Sequence, residues 1–473
     1  MTASQVGRVT PAVGHERERI LVRCDSAPAR WFGAVIVGGI VGSLIVLAAG
    51  RIQYVDWPPG RLGWSLALLA AAAFIARGVF LGRPVTAGHA SVAAMVLAAG
   101  LVAHLASLRL LGEVLICGSG LALMWPTSAR TQPGALARVW ALVDATHNDP
   151  LAPFAMQTLK SYHFSTDGTA ALAYRTRLGF AVASGDPIGD CRVFDELVAD
   201  FVRMCRGRGW RIMVLGCGER HLGLWGDHAL SAAALRVPIG RDVVIDVQKF
   251  SMAGRRFRNL RQAVQRTRNT GISTEVVDEQ KLDARLRAEL AEVLVASRGG
   301  ARTERGFSMG LDGTLERRYP GVQLIIARDR AGRVQGFQRY ATAGHGSDVT
   351  LDAPFRRPGA PNGIDERLSI DMIGAAKANH AERLSLSFAA FPEIFGNSDR
   401  RPPQRVGYWL IHVLDPLIRL ESLYRYLRKF HSLDQRRYAV VSAHHIPAAL
   451  VVLLSLEFGP RHRHLELSPC PVV

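Results

Sequence analysis

Lysine is nearly absent from this chain. Of its 58 Lys and Arg residues only five are Lys, at 160, 249, 281, 377 and 429, which leaves 53 Arg. Cysteine is sparse as well. The six residues, at 24, 117, 191, 205, 217 and 470, form no CxxC pair and no metal-ligand spacing, so no metal site is expected. That pattern excludes a disulfide framework and indicates a reducing compartment. The chain has no GxxxxGK[ST] loop for a nucleotide and no GxSxG elbow for a serine nucleophile. It also lacks an Arg/Gln-x-x-Gly-x-Gly/Ala loop of the kind that holds the pyrophosphate of coenzyme A. Leu215-Gly216-Cys217-Gly218-Glu219 comes nearest and has the wrong spacing. Cys217 invites a reading as a nucleophile; a small buried residue at a strand end is the simpler one.

Positive charge and apolar runs are abundant. The 473 residues carry a net charge of +18 and a pI near 10.4, with 48% hydrophobic residues and a mean hydropathy of +0.11. Such a length predicts more than one domain. The basic excess suits a polyanion or an anionic membrane face. Residues 1–30 are a polar, Arg-rich tail with no apolar stretch and cleavage site close behind the start, so no removable leader is expected. Four apolar runs follow: Trp31–Gly50, Leu62–Leu81, Val92–Leu108 and Leu110–Trp125. They predict a membrane domain of about four helices over 31–126, the last two forming a tight hairpin across Arg109. The alternative is the buried helical core of a soluble domain. Arg residues flanking the runs favour the tail, the Arg77/Arg83 loop and the Arg130/Arg138 side as cytoplasmic. The large C-terminal part would then be cytoplasmic too.

After a linker over 127–150, holding an amphipathic helix at Ala135–Ala145, short apolar strands alternate with helices. The first cycle is Ala170–Tyr174, Phe180–Ser184, helix Phe194–Arg206 and Arg211–Leu215. The second is Val322–Arg328, Gly336–Ala343, Asp348–Leu351, helix Ile364–Asn379 and Leu384–Phe388. The fold class is therefore α/β (α+β), with two similar units at 151–253 and 271–473. Between them, over 254–270, runs GRRFRNLRQAVQRTR, which has no acid. On a helix Phe257, Leu260 and Val264 share one face, and the Arg residues cover the rest. Arg255, Arg256, Arg258 and Arg261 are candidates for RNA or lipid phosphate; an ordinary solvated helix would mix signs. His445–Phe458 reads as an interfacial or core helix.

The chemistry concentrates in Ser347–Phe391. Asp348 and Asp352 lie on a strand at spacing four, hence on one face. Arg356 and Arg357 follow in a loop. Pro361-Asn362-Gly363 then turns into a helix that opens with Asp365 and Glu366. Carboxylates, a basic loop and a helix N-terminus converge in this reading, which suits anion binding and a general base. A solvated loop with capping acids is the plain alternative.

LDAPFRRPGAPNGIDERL resembles the signature block of the phosphatidylglycerol aminoacyltransferases, the multiple-peptide-resistance-factor family associated with resistance to antimicrobial peptides. Gly185-Asp186-Pro187-Ile188-Gly189, Phe250–Gly254 with its Arg-rich continuation, Glu304–Gly310, and Ser422–Tyr426 with Lys429-Phe430 resemble further family blocks in the same order. The likeness spans roughly Asp149 to Glu457. It implies N-terminal transmembrane helices, then tandem N-acetyltransferase-like domains joined by the basic helix. It further implies transfer of an aminoacyl group from aminoacyl-tRNA to phosphatidylglycerol, with lysyl the first expectation and alanyl or arginyl the alternatives. The ester donor is already activated, so no cofactor is expected. Asp352, Glu366 and Arg356 are the expected catalytic residues. Asn362, Asp348, Glu304, Lys160, Arg425 and Lys429 are expected to bind substrate. The chain departs from the family at Ala353-Pro354-Phe355, where a basic residue is displaced by one to Arg356, which leaves open whether Arg356 or Arg357 acts. An acyltransferase with another lipid or peptide acceptor, or a non-catalytic membrane protein binding lipid or RNA, are the competing readings.

Overall fold

The computed structural model describes residues 20–24, 26–52, 61–226, 230, 234–298, 307, 310–390 and 420–458. The chain divides into two compact units, 1–127 with 203–211, and 128–202 with 212–473.

The first unit contains β1 (Ile20–Val22), α1 (Ala27–Ile52), α2 (Arg61–Phe80), β2 (Val85–Thr86), α3 (Ala87–Leu105) and α4 (Arg109–Leu123). Three helical stretches are long and apolar enough to cross a membrane: Ala27–Ala49, Leu62–Phe80 and Ala87–Leu105. Only 6% of the first is buried, so its apolar side chains have little protein to pack against, as suits a lipid-facing helix. The four expected apolar runs all form helices, and three of them pass by length and composition as spans. The fourth run does form α4, but its 15 helical residues fall short of the roughly 17–25 a span needs. The third helix starts earlier than Val92 because Thr86 caps it, its hydroxyl accepting from the His89 amide at 3.2 Å. α3 and α4 form the expected hairpin. Small residues let them approach: a Cβ on Gly100 would lie 3.1 Å from the Gly112 carbonyl oxygen.

The second unit is built on one sheet. In chain order its elements are α5 (Leu136–Asp144), β3 (Ser161–Phe164), β4 (Ala170–Arg177), β5 (Phe180–Ser184), β6 (Ile188–Gly189), α6 (Phe194–Gly207), β7 (Arg211–Gly218), β8 (Ala234–Asp246), α7 (Arg258–Asn269), β9 (Ser273–Asp278), α8 (Ala284–Arg298), β10 (Val322–Arg328), β11 (Val334–Ala343), β12 (Asp348–Arg356), α9 (Ile364–Ala378), β13 (Arg383–Ala390), α10 (Leu420–Leu427), β14 (Leu433–Ser442) and α11 (Ile446–Phe458). The strand order is β3-β4-β5-β7-β14-β8-β13-β12-β11-β10-β9, with β6 on β4.

The two α/β cycles occupy opposite ends of this sheet. In the second, β10, β11 and β12 are antiparallel neighbours, α9 crosses, and β13 returns parallel to β12. The first repeats the plan with β4, β5, α6 and β7. The middle is an exchange. β8 follows β7 in sequence but pairs with β13 and β14; β14 follows β13 but pairs with β7 and β8. Each cycle thus lends its outgoing strand to the other, and neither can leave without breaking a strand ladder. Leu260, Phe257, Tyr340, Leu351, Ile364 and Leu368 are among the residues that fuse α7 and α9 to the second cycle in one core. Phe337, Phe355 and Leu290 belong to a separate core under α8.

Candidate active site

The turn into α9 is fixed by a close approach. Gly363 sits at φ 98°, and a Cβ there would lie 2.8 Å from the Ala263 carbonyl oxygen of α7, so only glycine fits. α9 then presents Asp365 and Glu366 in its first turn, where acids complement the helix dipole. Glu366 is buried and makes an ion pair with Lys429, whose side chain is 40% exposed. Arg356 reaches Asp365, its Nη1 at 3.3 Å from Oδ2. The Gln338 side chain donates to the Asp365 carbonyl at 3.0 Å. It also accepts from Ser369 and Tyr340, and Ser369 hydrogen-bonds Tyr426. Burial pushes the Asp365 carboxyl above its usual range, against the pull of Arg356. Beside this turn a cleft of about 460 Å³ is lined by Arg266, Asn269, Thr270, Pro361 and Asn362.

Asp352 is elsewhere, which corrects the expected convergence. The pairing Arg339↔Ala353 is followed by Tyr340↔Leu351, so Asp352 is the extra residue of a β-bulge. A bulge switches the alternation of faces. Beyond it Arg356 points to the α9 side, with Gln338 and Tyr340. Asp352 points to the other side, with Arg339. There it accepts from the Leu311 amide at 2.8 Å and lies 3.0 Å from Arg339 Nη1, while Arg339 also binds Glu279. All three side chains are at most 3% exposed. Burial raises the Asp352 carboxyl despite Arg339.

The remaining expected residues scatter. Asp348 is buried; it accepts from the Asn148 amide at 3.3 Å and lies 3.7 Å from Arg383. Lys160 is fully buried, donating to the Phe154 carbonyl and to Ser184 at 2.5 and 2.8 Å. Arg425 is exposed on α10. Arg357 pairs with Glu292 at 3.0 Å, so of the two adjacent arginines Arg356 is the one beside α9. Glu304 lies outside the described residues. Arg255, Arg256 and Arg258 are exposed around the start of α7; Arg261 is exposed too, but its guanidinium is tied to the Met252 and Gly254 carbonyls. Cys217 is fully buried, and burial raises its thiol well above the usual range, which leaves no reactive thiolate.

Sequence reading missed a second charged cluster. Arg437 of β14 is buried among Asp149, Asp186 and Asp242, at 2.7, 3.0 and 2.8 Å. The Gly218 amide donates to both Asp186 oxygens, and His221 lies 3.1 Å from the same carboxylate. Burial works to raise Asp186, but the His221 hydrogen bond and Arg437 outweigh it and hold the carboxyl low. Burial pushes Asp242 up to about 6. Asp186 stands in the GDPIG block, and Arg437 lies past the quoted blocks but within the stretch that the likeness spans. Their meeting needed the strand exchange.

Residues 140–441 match the family model described as phosphatidylglycerol lysyltransferase, C-terminal. An MprF-like domain protein of Mycobacterium tuberculosis is 64% identical over 95% of this chain and 93% of its own length. A lysylphosphatidylglycerol biosynthesis bifunctional protein of Rhodococcus jostii is 30% identical over 83% of this chain, which spans about a third of that relative's length (34%). Among solved structures, the C-terminal domain of a protein assigned as a lysylphosphatidylglycerol synthetase from Agrobacterium fabrum superposes with a TM-score of 0.59 at 21% identity, over 70% of this chain and 99% of that one. The L-PGS of Bacillus licheniformis gives 0.57 at 17% identity, over 68% and 97%. These two likenesses concern the fold.

Proposed function

The chain belongs to the phosphatidylglycerol lysyltransferase family, and on that premise we propose that it moves an aminoacyl group from aminoacyl-tRNA to phosphatidylglycerol at the start of α9. The observation that carries this reading is the family match across 140–441, which includes every residue of the α9 site. The enzyme is an aminoacyltransferase anchored by its apolar helices, and its catalytic unit faces the cytoplasm, where charged tRNA is found. Lysyl is the first candidate for the transferred group.

The chemistry has modest needs. The donor ester is already activated, so the site must hold its carbonyl, take a proton from the lipid glycerol hydroxyl and offset the developing oxyanion. Arg356, with a half-exposed side chain, meets the lipid phosphate or the oxyanion. Glu366 is buried and orders Lys429, whose side chain, 40% exposed, faces the site. Asn362 shapes the turn beside the cleft. Asp352, held by Arg339 on the far face of the sheet, supports β12 rather than touching substrate. The exposed Arg side chains of Arg255, Arg256 and Arg258 draw in the tRNA backbone.

The test is to express the full chain in a host with ample phosphatidylglycerol and analyse extracted lipids by mass spectrometry. A phosphatidylglycerol species heavier by one aminoacyl residue is expected, and its mass names the amino acid. Formation in membrane extracts should stop on RNase treatment. An unchanged lipid profile would overturn the reading.

A further inference from the structure

Three carboxylates were available to act as the base of this transfer, and their surroundings separate them. Both oxygens of Asp352 are engaged, one by the Leu311 amide and one by Arg339, and its side chain is 3% exposed. Glu366 is committed to Lys429 and is 9% exposed. Asp365 differs. Its side chain is 22% exposed, and Oδ2 lies at 3.3 Å from a guanidinium that is itself 54% exposed, while Oδ1 is turned inward, buried and without a hydrogen-bond partner among the described residues. A buried oxygen without a partner is costly to keep ionised, which makes this carboxylate more basic than a solvated one, and a hydroxyl donor can approach it on the Oδ2 side, beside the exposed Arg356 guanidinium. The carboxylate is also held still: it sits in the first turn of a 15-residue helix whose carbonyl at that residue is gripped by Gln338, itself fixed by Ser369 and Tyr340.

We propose that Asp365 is the general base that deprotonates the acceptor hydroxyl; this rests on the transferase reading above and names a residue that reading left without a role. The hydroxyl proton passes to Asp365 as the hydroxyl oxygen forms its bond to the ester carbonyl carbon. The tetrahedral intermediate then breaks its bond to the ribose oxygen of the tRNA. The proton leaves Asp365 for that oxygen, so a free tRNA hydroxyl and a new lipid ester are formed and the carboxylate is restored. Arg356 is the positioning residue. Its guanidinium orients the carboxylate and keeps it ionised against burial, which raises the group. The charged and titratable side chains that face Asp365 are Arg356 from β12, Glu366 beside it, Lys429 from the segment after α10, and Tyr340 and Tyr426 from β11 and α10.

The experiment measures kcat/KM against pH for the full chain in lipid–detergent micelles, with aminoacyl-tRNA and phosphatidylglycerol. Asp365→Asn should lower the rate by roughly 10²–10⁴-fold and abolish the acidic limb of the profile, with an unchanged melting temperature. Asp365→Glu should restore part of the rate and the limb. Arg356→Gln supplies a second readout that does not depend on how the first variant folds. Removing the guanidinium should move the acidic limb to higher pH. A limb that stays in place in both Asp365→Asn and Arg356→Gln overturns the proposal. A wild-type chain that makes no aminoacylated lipid overturns the transferase reading and the base together; an active wild type with an equally active Asp365→Asn overturns the base alone.

Discussion

Two cations from one C-terminal stretch, Lys429 and Arg437, meet acids in contrasting ways. Arg437 is sealed: its side chain is 3% exposed and each arm of its guanidinium faces a different aspartate. Those aspartates come from positions 149, 186 and 242, on segments that the strand exchange gathers around β14. Lys429 meets one partner, Glu366, and 40% of its side chain remains in solvent. The lesson is that charge density does not identify an active site. Arg437 and the three aspartates of the denser cluster are at most 9% exposed, and they tie together segments from both α/β cycles. The sparser one has a guanidinium and an ammonium on side chains that are 54% and 40% exposed and a carboxylate that is 22% exposed, and these can meet a substrate.

Removing Arg437 should break the comparison most visibly. Arg437→Met leaves three buried carboxylates without their shared cation, a loss of about 3–5 kcal/mol. Thermal unfolding of the detergent-solubilised chain should show a large drop or no folded protein. Lys429→Met should do the reverse, with a small shift in melting temperature but a loss in aminoacyl transfer on the order of 10²-fold. Equal stability losses in the two variants would erase the distinction between them.

The pH dependence sharpens the enclosed side. Asp242 titrates at about 6 in the folded chain, above the ordinary carboxyl value of 3.8. A raised carboxyl contributes stability that is complete below the unfolded value and fades as pH climbs through the folded one. Asp242→Asn cannot lose that contribution. The stability of the variant relative to wild type should therefore rise between about pH 4 and pH 6, as read from melting temperatures across that range. A constant difference would place the titration elsewhere.

Much of this was legible in the sequence, for identifiable reasons. The apolar runs, the helix at Ile364 and the strands at Phe180–Ser184 and Val322–Arg328 follow from local periodicity; the structure reproduces the last three almost residue for residue and the runs with ends shifted by up to five residues. β8 and β14 escaped because five of the 13 residues of β8 are exposed and both strands carry charged residues in place of clean alternation. Their partners are fixed by pairing across nearly two hundred residues, as in Arg436↔Arg241, which no local pattern encodes. The Arg437 cluster was therefore invisible even though Asp186 stood in a noted motif. Counting by twos along β12 failed for a different reason. The bulge at Asp352 costs one residue of register, so Asp352 and Arg356 end on opposite faces. Asp365 was in view throughout, but a spacing argument treats it as a capping acid. Only its partial exposure and its contact with the half-exposed Arg356 set it apart.

The smallest expected effect concerns the basic helix, and it distinguishes arginines that look alike in sequence. Arg258 and Arg261 are both exposed on α7, but Arg261 spends its guanidinium on the Met252 and Gly254 carbonyls. If this face meets tRNA phosphate, Arg258→Gln should reduce the slope of log binding constant against log salt by about 1, the signature of one lost phosphate contact. Arg261→Gln should change the slope less, because its guanidinium already serves the loop before the helix. Filter binding of tRNA to the full chain across a salt series measures both. Identical slopes in wild type and Arg258→Gln would remove α7 from the tRNA surface and leave its charge to the membrane.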